Sequence, residues 1–114
     1  MMRSVLRRLR KRLRPQPIAI ELDVVEQLIL RYLLRFGAAP ATDLRDEVLA
    51  TRRTAAEQQV RLSLIRLESL RLIERDTSPV LAVEGGRVYR LTRDGKRLRK
   101  VIAGEPVSSI QTYL

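Results

Sequence analysis

The sequence predicts a mainly helical domain that carries one small β-hairpin. Three observations lead there. Apolar residues recur at helical spacing through residues 24–36 and again at Val60, Leu64 and Leu67. Two β-rich runs, residues 80–84 and 87–92, flank Gly85-Gly86, the composition of a tight hairpin tip. A hydrophobic content of 45% over 114 residues is ordinary for one domain with a single core.

Taken in order, residues 2–14 set Met2, Val5, Leu6, Leu9 and Leu13 at helical spacing with arginines on the other faces. This predicts an amphipathic basic helix that orders against a partner, because short isolated helices are marginal in water. Pro15-Gln16-Pro17 ends it as a stiff linker. A second helix starts at Asp23, with Glu26 three residues on as in a capping box, and stops at Gly37 before Pro40. Its polar positions are only Glu26, Gln27, Arg31 and Arg35, so it is expected to be buried on two sides. One side suits the core; the other calls for the N-terminal helix, the C-terminal tail or a second subunit.

Thr42 is expected to cap a short helix over residues 43–50 that buries Leu44, Val48 and Leu49. Thr54-Ala55-Ala56-Glu57 matches the capping-box pattern and is expected to open the longest helix, to about Leu70. Leu72 to Arg75 then opens a strand, and the hairpin follows. Thr92 is expected to cap one last helix through about Ile102, ended by Gly104 and Pro106. Residues 107–114 are apolar enough to dock, in a conformation their pattern leaves open. The expected organisation is residues 1–17 as basic helix and linker, 18–103 as the domain, and 104–114 as a tail.

Composition narrows the chemistry. The chain has no Cys and no His, which removes disulfides, thiolate metal sites and the commonest general base. There is no glycine-rich phosphate loop and no nucleophile paired with a base, so no enzyme, cofactor or metal is expected. Asp43, Asp46 and Glu47 cluster near a helix start, where they serve as dipole partners. Charge is uneven. Of the 23 Lys and Arg, seven (Arg3, Arg7, Arg8, Arg10, Lys11, Arg12 and Arg14) fall in the first 14 residues without one acid. The other 16 face 13 acids, leaving the remainder at only +3 of the formal +10. Such a block suits a polyanion, held through non-specific phosphate contacts. A membrane surface fits less well, since the segment has no Trp or Phe to anchor it. No run reaches the roughly 18 apolar residues of a membrane span. The N-terminus lacks the apolar centre of a secretory signal, and although its arginines are also those of a mitochondrial presequence, a cytoplasmic location is expected.

Leu67, then Arg71-Leu72-Ile73-Glu74-Arg75, then Tyr89-Arg90-Leu91-Thr92-Arg93-Asp94-Gly95 together form an ordered motif. It resembles the winged helix-turn-helix domains of bacterial and archaeal transcription regulators, in particular the multiple-antibiotic-resistance regulator group. Those show Gly-Leu-Ile-x-Arg after a helix ending in Leu, a hairpin, and a Tyr-x-Leu-Thr-x-x-Gly exit. The resemblance spans about residues 22–102 and implies a winged helix-turn-helix that binds duplex DNA, commonly as a homodimer. Two departures stand out. Arg71 occupies the usual glycine position, which questions an efficient left-handed stop and predicts a longer helix. The loop Asp76-Thr77-Ser78-Pro79 lacks the group's common Asp-x-Arg.

On this reading residues 54–70 are the recognition helix and 80–91 the wing. Candidate DNA contacts are Arg52, Arg53 and Thr54 at the helix start, and Gln58 and Gln59, suited to adenine. Leu62 suits a thymine methyl, Ser63 or Arg66 bases or phosphates, and Arg87 a narrow minor groove. Ile65 shares the outward face with Leu62 and has no evident DNA role. Either only the first turns of the helix enter the groove, or the Leu62/Ile65 face binds protein. The second alternative makes the domain an interaction module whose basic helix binds RNA, a large nucleoprotein machine or an anionic membrane. Single-stranded nucleic acid is disfavoured by an aromatic content of 4%.

Overall fold

The structure, a computed structural model, describes residues 19–77 and 87–113. The expected basic helix, the proline linker and the hairpin segment with Gly85-Gly86 lie outside the described residues. The element order is β1 (Ala19–Asp23), α1 (Val24–Phe36), β2 (Ala38–Pro40), α2 (Ala41–Thr51), α3 (Glu57–Ser69), β3 (Ile73–Arg75), β4 (Val88–Leu91), α4 (Arg93–Arg97), α5 (Arg99–Ile102) and β5 (Ser109–Tyr113).

α1 is the hub. Its capping box forms as the sequence predicts: the Glu26 N–H donates to Asp23 Oδ1 at 2.8 Å, and the Asp23 N–H to Glu26 Oε1 at 3.1 Å. Gly37 ends the helix at φ 83°, and its N–H donates to the Leu33 carbonyl. Val25, Leu28, Ile29, Leu30 and Leu33 are buried. α2 and α3 pack on this helix, and so do α5 and β1, so the chain itself covers its second apolar side. Gln27 fastens that cover. Its Nε2 donates to the carbonyls of Leu22 and Val107, and its Oε1 accepts from the Val107 N–H, at 2.9–3.0 Å.

Two expected caps do not form. α2 begins at Ala41, with Thr42 inside the helix, because Pro40 already sets an extended entry. The exposed first amide is satisfied by the backbone just before β4 instead: the Ala41 N–H donates to the Arg87 carbonyl at 2.8 Å. α3 begins at Glu57, with Ala56 as an N-cap that offers no side-chain bond. Residues 52–55 are used up in a turn closed by the Ala55 N–H on the Arg52 carbonyl, which leaves Thr54 before the helix.

Arg71 does not lengthen α3. The helix ends at Ser69, and Arg71 itself takes the left-handed conformation at φ 59°. The Leu72 N–H donates to the Leu67 carbonyl and the Arg71 N–H to the Glu68 carbonyl, a complete Schellman motif. Leu67 and Leu72 are both fully buried, and their burial outweighs the roughly 1–2 kcal/mol that a non-glycine residue costs there.

β4 is the centre of a three-stranded antiparallel sheet in the order β2-β4-β3. Ala38 pairs with Arg90 on one side, and Ile73 with Leu91 on the other. The β2 contribution has no counterpart in the sequence pattern, since three residues carry too little alternation. Thr92 caps α4 as expected, accepting from the Gly95 N–H at 3.1 Å and donating to the Arg71 carbonyl. A Cβ at Gly95 would sit 2.2 Å from the Leu72 carbonyl oxygen, so the closing glycine of the motif is a packing requirement. The single last helix is in fact two: Leu98 turns in to the core between α4 and α5, closed by i→i−3 bonds from Leu98 to Gly95 and from Val101 to Leu98.

The tail is ordered through Tyr113. β5 pairs antiparallel with β1, Leu22 opposite Ile110 and Ile20 opposite Thr112. Ile20, Leu22 and Thr112 are buried while Glu21, Gln111 and Tyr113 are exposed, the alternation of a ribbon lying on a core.

Candidate nucleic-acid interface

α2, the turn at residues 52–56 and α3 form a helix-turn-helix. The buried stripe of α3 is Val60, Ser63, Leu64 and Leu67. At 100° per residue its opposite is Gln58, Leu62, Ile65 and Ser69, all exposed. Arg61 flanks this face on one side; Gln59 and Arg66 flank it on the other. Leu62 and Ile65 are 57% and 55% exposed, too much for either to be a core residue.

Arg52, Arg53 and Thr54 are exposed in the turn immediately before α3. This is where the helix's free amides and positive dipole end favour anions. Arg87 is exposed immediately before β4, and its carbonyl is held by the Ala41 N–H at the first turn of α2. Between α3, the start of α2 and β4 lies an open cleft of about 400 Å³, lined by Thr42, Arg45, Arg61, Ile65, Arg87 and Tyr89 among others. Arg45 reaches Glu57 at 3.6 Å and Asp46 at 3.2 Å, which neutralises the acid at the α3 start. Arg61, by contrast, has no ion-pair partner among the described residues.

Two expected contacts are placed elsewhere. Ser63 is buried, 6% exposed, on the core side of α3 and out of reach of a groove. Arg66 turns back to the domain: its Nη1 pairs with both carboxylate oxygens of Glu26, and its Nη2 donates to the Glu21 carbonyl at 2.8 Å. Glu26 is 1% exposed, so Arg66 is committed to balancing a buried charge. Burial pushes the Glu26 carboxyl above the usual carboxylate range, against the lowering effect of the Asp23 N–H and of Arg66. The pair fixes α3 on α1.

Arg61 and Arg45 are the members of this surface that the sequence reading passed over. Arg61 lies three residues after Gln58 and so shares its side of the helix, a signal that the wheel contained. Arg45 depends on how α2 crosses α3, which no local pattern records. The seven N-terminal cations lie outside the described residues. Among the described residues no cluster of acidic side chains could hold a metal, and no helix is long and apolar enough to cross a membrane.

No protein-family model matches this chain, and no curated protein matches it in sequence. Solved structures do. The chain is similar to SSV1 F-93, with a TM-score of 0.56 and 18% identity over 68% of this chain and 80% of that one. It is similar to the reduced form of the transcriptional regulator YodB from B. subtilis, with a TM-score of 0.52 and 22% identity over 90% and 81%. It is also similar to a PadR family transcription regulator from hypervirulent Clostridium difficile, with a TM-score of 0.52 and 24% identity over 67% and 80%. At these identities the likeness is one of fold. The architecture, mainly helical with a small antiparallel sheet, is a winged-helix fold.

Proposed function

We propose that the protein binds duplex DNA, as a transcription regulator or nucleoid-associated factor, with α3 in the major groove and residues 80–91 as the wing. The observation that carries this reading is the outward face of α3. It opens on exposed Gln58, runs beside Arg61, which has no ion-pair partner among the described residues, and is preceded by Arg52 and Arg53 at the helix N-terminus. In this role Arg52, Arg53 and the Thr54 turn hold backbone phosphates, while Gln58 and Gln59 address adenine edges. Arg87 reaches a minor groove beside α3. The N-terminal arginines add a sequence-independent attraction, and Arg66 serves by holding α3 in place. The finer likeness to the multiple-antibiotic-resistance group belongs to this proposal, supported by the Tyr89-to-Gly95 motif. So does a homodimer on two half-sites about one helical turn apart, for which exposed Phe36, Val107 and Tyr113 supply apolar surface.

A direct test is duplex binding across a salt series for the full chain and for Arg52→Ala/Arg53→Ala. Two lost phosphate contacts reduce the log–log salt slope by about 1.8. An unchanged slope means that these arginines do not meet DNA.

Exposed Leu62 and Ile65 favour a second reading, a module that docks on protein while the basic segment binds RNA, a nucleoprotein machine or an anionic membrane. It requires that substitutions on α3 leave DNA affinity untouched.

A further inference from the structure

We infer that Leu62 and Ile65 are a thymine-reading pair: two apolar side chains that contact 5-methyl groups on the major-groove floor. This rests on the duplex-DNA reading above and names the base feature that α3 selects.

The pair needs an explanation because the fold provides none, and for Ile65 helix propensity provides none either. Both side chains are more than half exposed on the side of α3 opposite its buried stripe. Ile65 is β-branched, which costs rotamer freedom in a helix, so a surface Ile is not there to stabilise α3. Leu62 and Ile65 are three positions apart on one face, which sets them about 5–6 Å from each other. Successive bases along a strand are about 3.4 Å apart, so two methyls one or two steps apart fall within the pair's reach. Only thymine offers an apolar group on the major-groove edge.

The surroundings match a groove better than a protein partner. A standard protein interface buries about 800 Å² on each side and concentrates apolar side chains at its centre. Here two apolar side chains lie with Gln58 a turn before them and Arg61 beside them. Arg52 and Arg53 precede the helix, and Arg45 and Arg87 line the adjoining cleft. Among the described residues the one acid facing that cleft, Glu57, is paired with Arg45. Apolar tips flanked by cations correspond to base methyls flanked by phosphate rows. Gln58, on the same face and suited to adenine, completes a set of side chains that selects A·T pairs in a defined order.

The test uses the full chain and the duplex that it enriches from a random-sequence pool, prepared once with thymine and once with uracil throughout. The two duplexes differ by methyl groups alone, and the N-terminal arginines treat them alike. Each lost methyl contact weakens binding about fourfold, the equivalent of about 0.8 kcal/mol. The expected result is a preference of fourfold or more for thymine, abolished in Leu62→Ala/Ile65→Ala, whose substitutions sit on the surface. Equal binding of both forms overturns the inference and leaves the DNA reading standing. A preference that persists in the double variant also overturns it, since other side chains then read the methyls. Failure to enrich or bind any duplex overturns both readings and turns the Leu62/Ile65 face to protein.

Discussion

Arg71 shows how one residue can carry a cost for the sake of its neighbours. It holds φ 59°, a conformation natural to glycine, so that Leu67 and Leu72 can meet in the core. Arg71→Gly is expected to raise stability by about 1 kcal/mol, read as a shift in the denaturant midpoint at unchanged slope. A loss of stability would mean that the guanidinium contributes more than its backbone costs. Glu26 makes a pH-dependent prediction. Its pKa is raised in the fold, so between the ordinary glutamate value and the raised one the folded state holds a proton that the unfolded state releases. Its contribution to stability is therefore present at low pH and falls as pH rises through that window. Glu26→Gln does not titrate. The stability of wild type relative to this variant should decline across the window and then level off, measured by denaturation at several pH values. A difference that instead grew in favour of wild type would show that Arg66 outweighs burial.

At the scale of elements, helices bounded by strong local chemistry were legible and those bounded by tertiary contacts were not. Asp23, Glu26 and Gly37 delimit α1 as their types dictate, and Thr92 caps α4. The starts of α2 and α3 moved because the Arg87 carbonyl and a backbone turn did what Thr42 and Thr54 were expected to do. β1 and β5 leave little trace in the sequence pattern because each is five residues long and finds its partner about 90 residues away. The exposure of the outward face of α3 was legible from the wheel. Arg66 was not, since its partner Glu26 is 40 residues distant and hidden within an apolar helix. Gln27 is the comparable case for the tail, bonding Val107 80 residues away through both ends of its amide. Gln27→Leu keeps the volume but strands the backbone groups of Leu22 and Val107. We expect a loss of about 2 kcal/mol and faster hydrogen exchange at Val107 and along β5. Unaltered exchange there would show that the β1–β5 ladder holds the tail without the amide.

The whole molecule divides its charge between a cation block of seven in the first 14 residues and a remainder close to neutral at +3. The proposed division of labour follows: the block supplies attraction to any duplex, and the face of α3 supplies choice. These separate by salt dependence, because attraction to phosphates weakens steeply with ionic strength and contacts with base edges do not. On this proposal Glu26–Arg66 and the Schellman turn at Arg71 serve function by setting the pose of α3 that choice requires.

The measurement that tests this division most directly is duplex binding across a salt series for the full chain and for a form lacking residues 1–14. On this division of labour the shortened form binds more weakly, with a slope reduced by up to about 0.9 for each of seven phosphates, yet still binds a selected duplex over a random one. Complete loss of duplex binding on removing those residues, with the rest of the domain still folded, would contradict it.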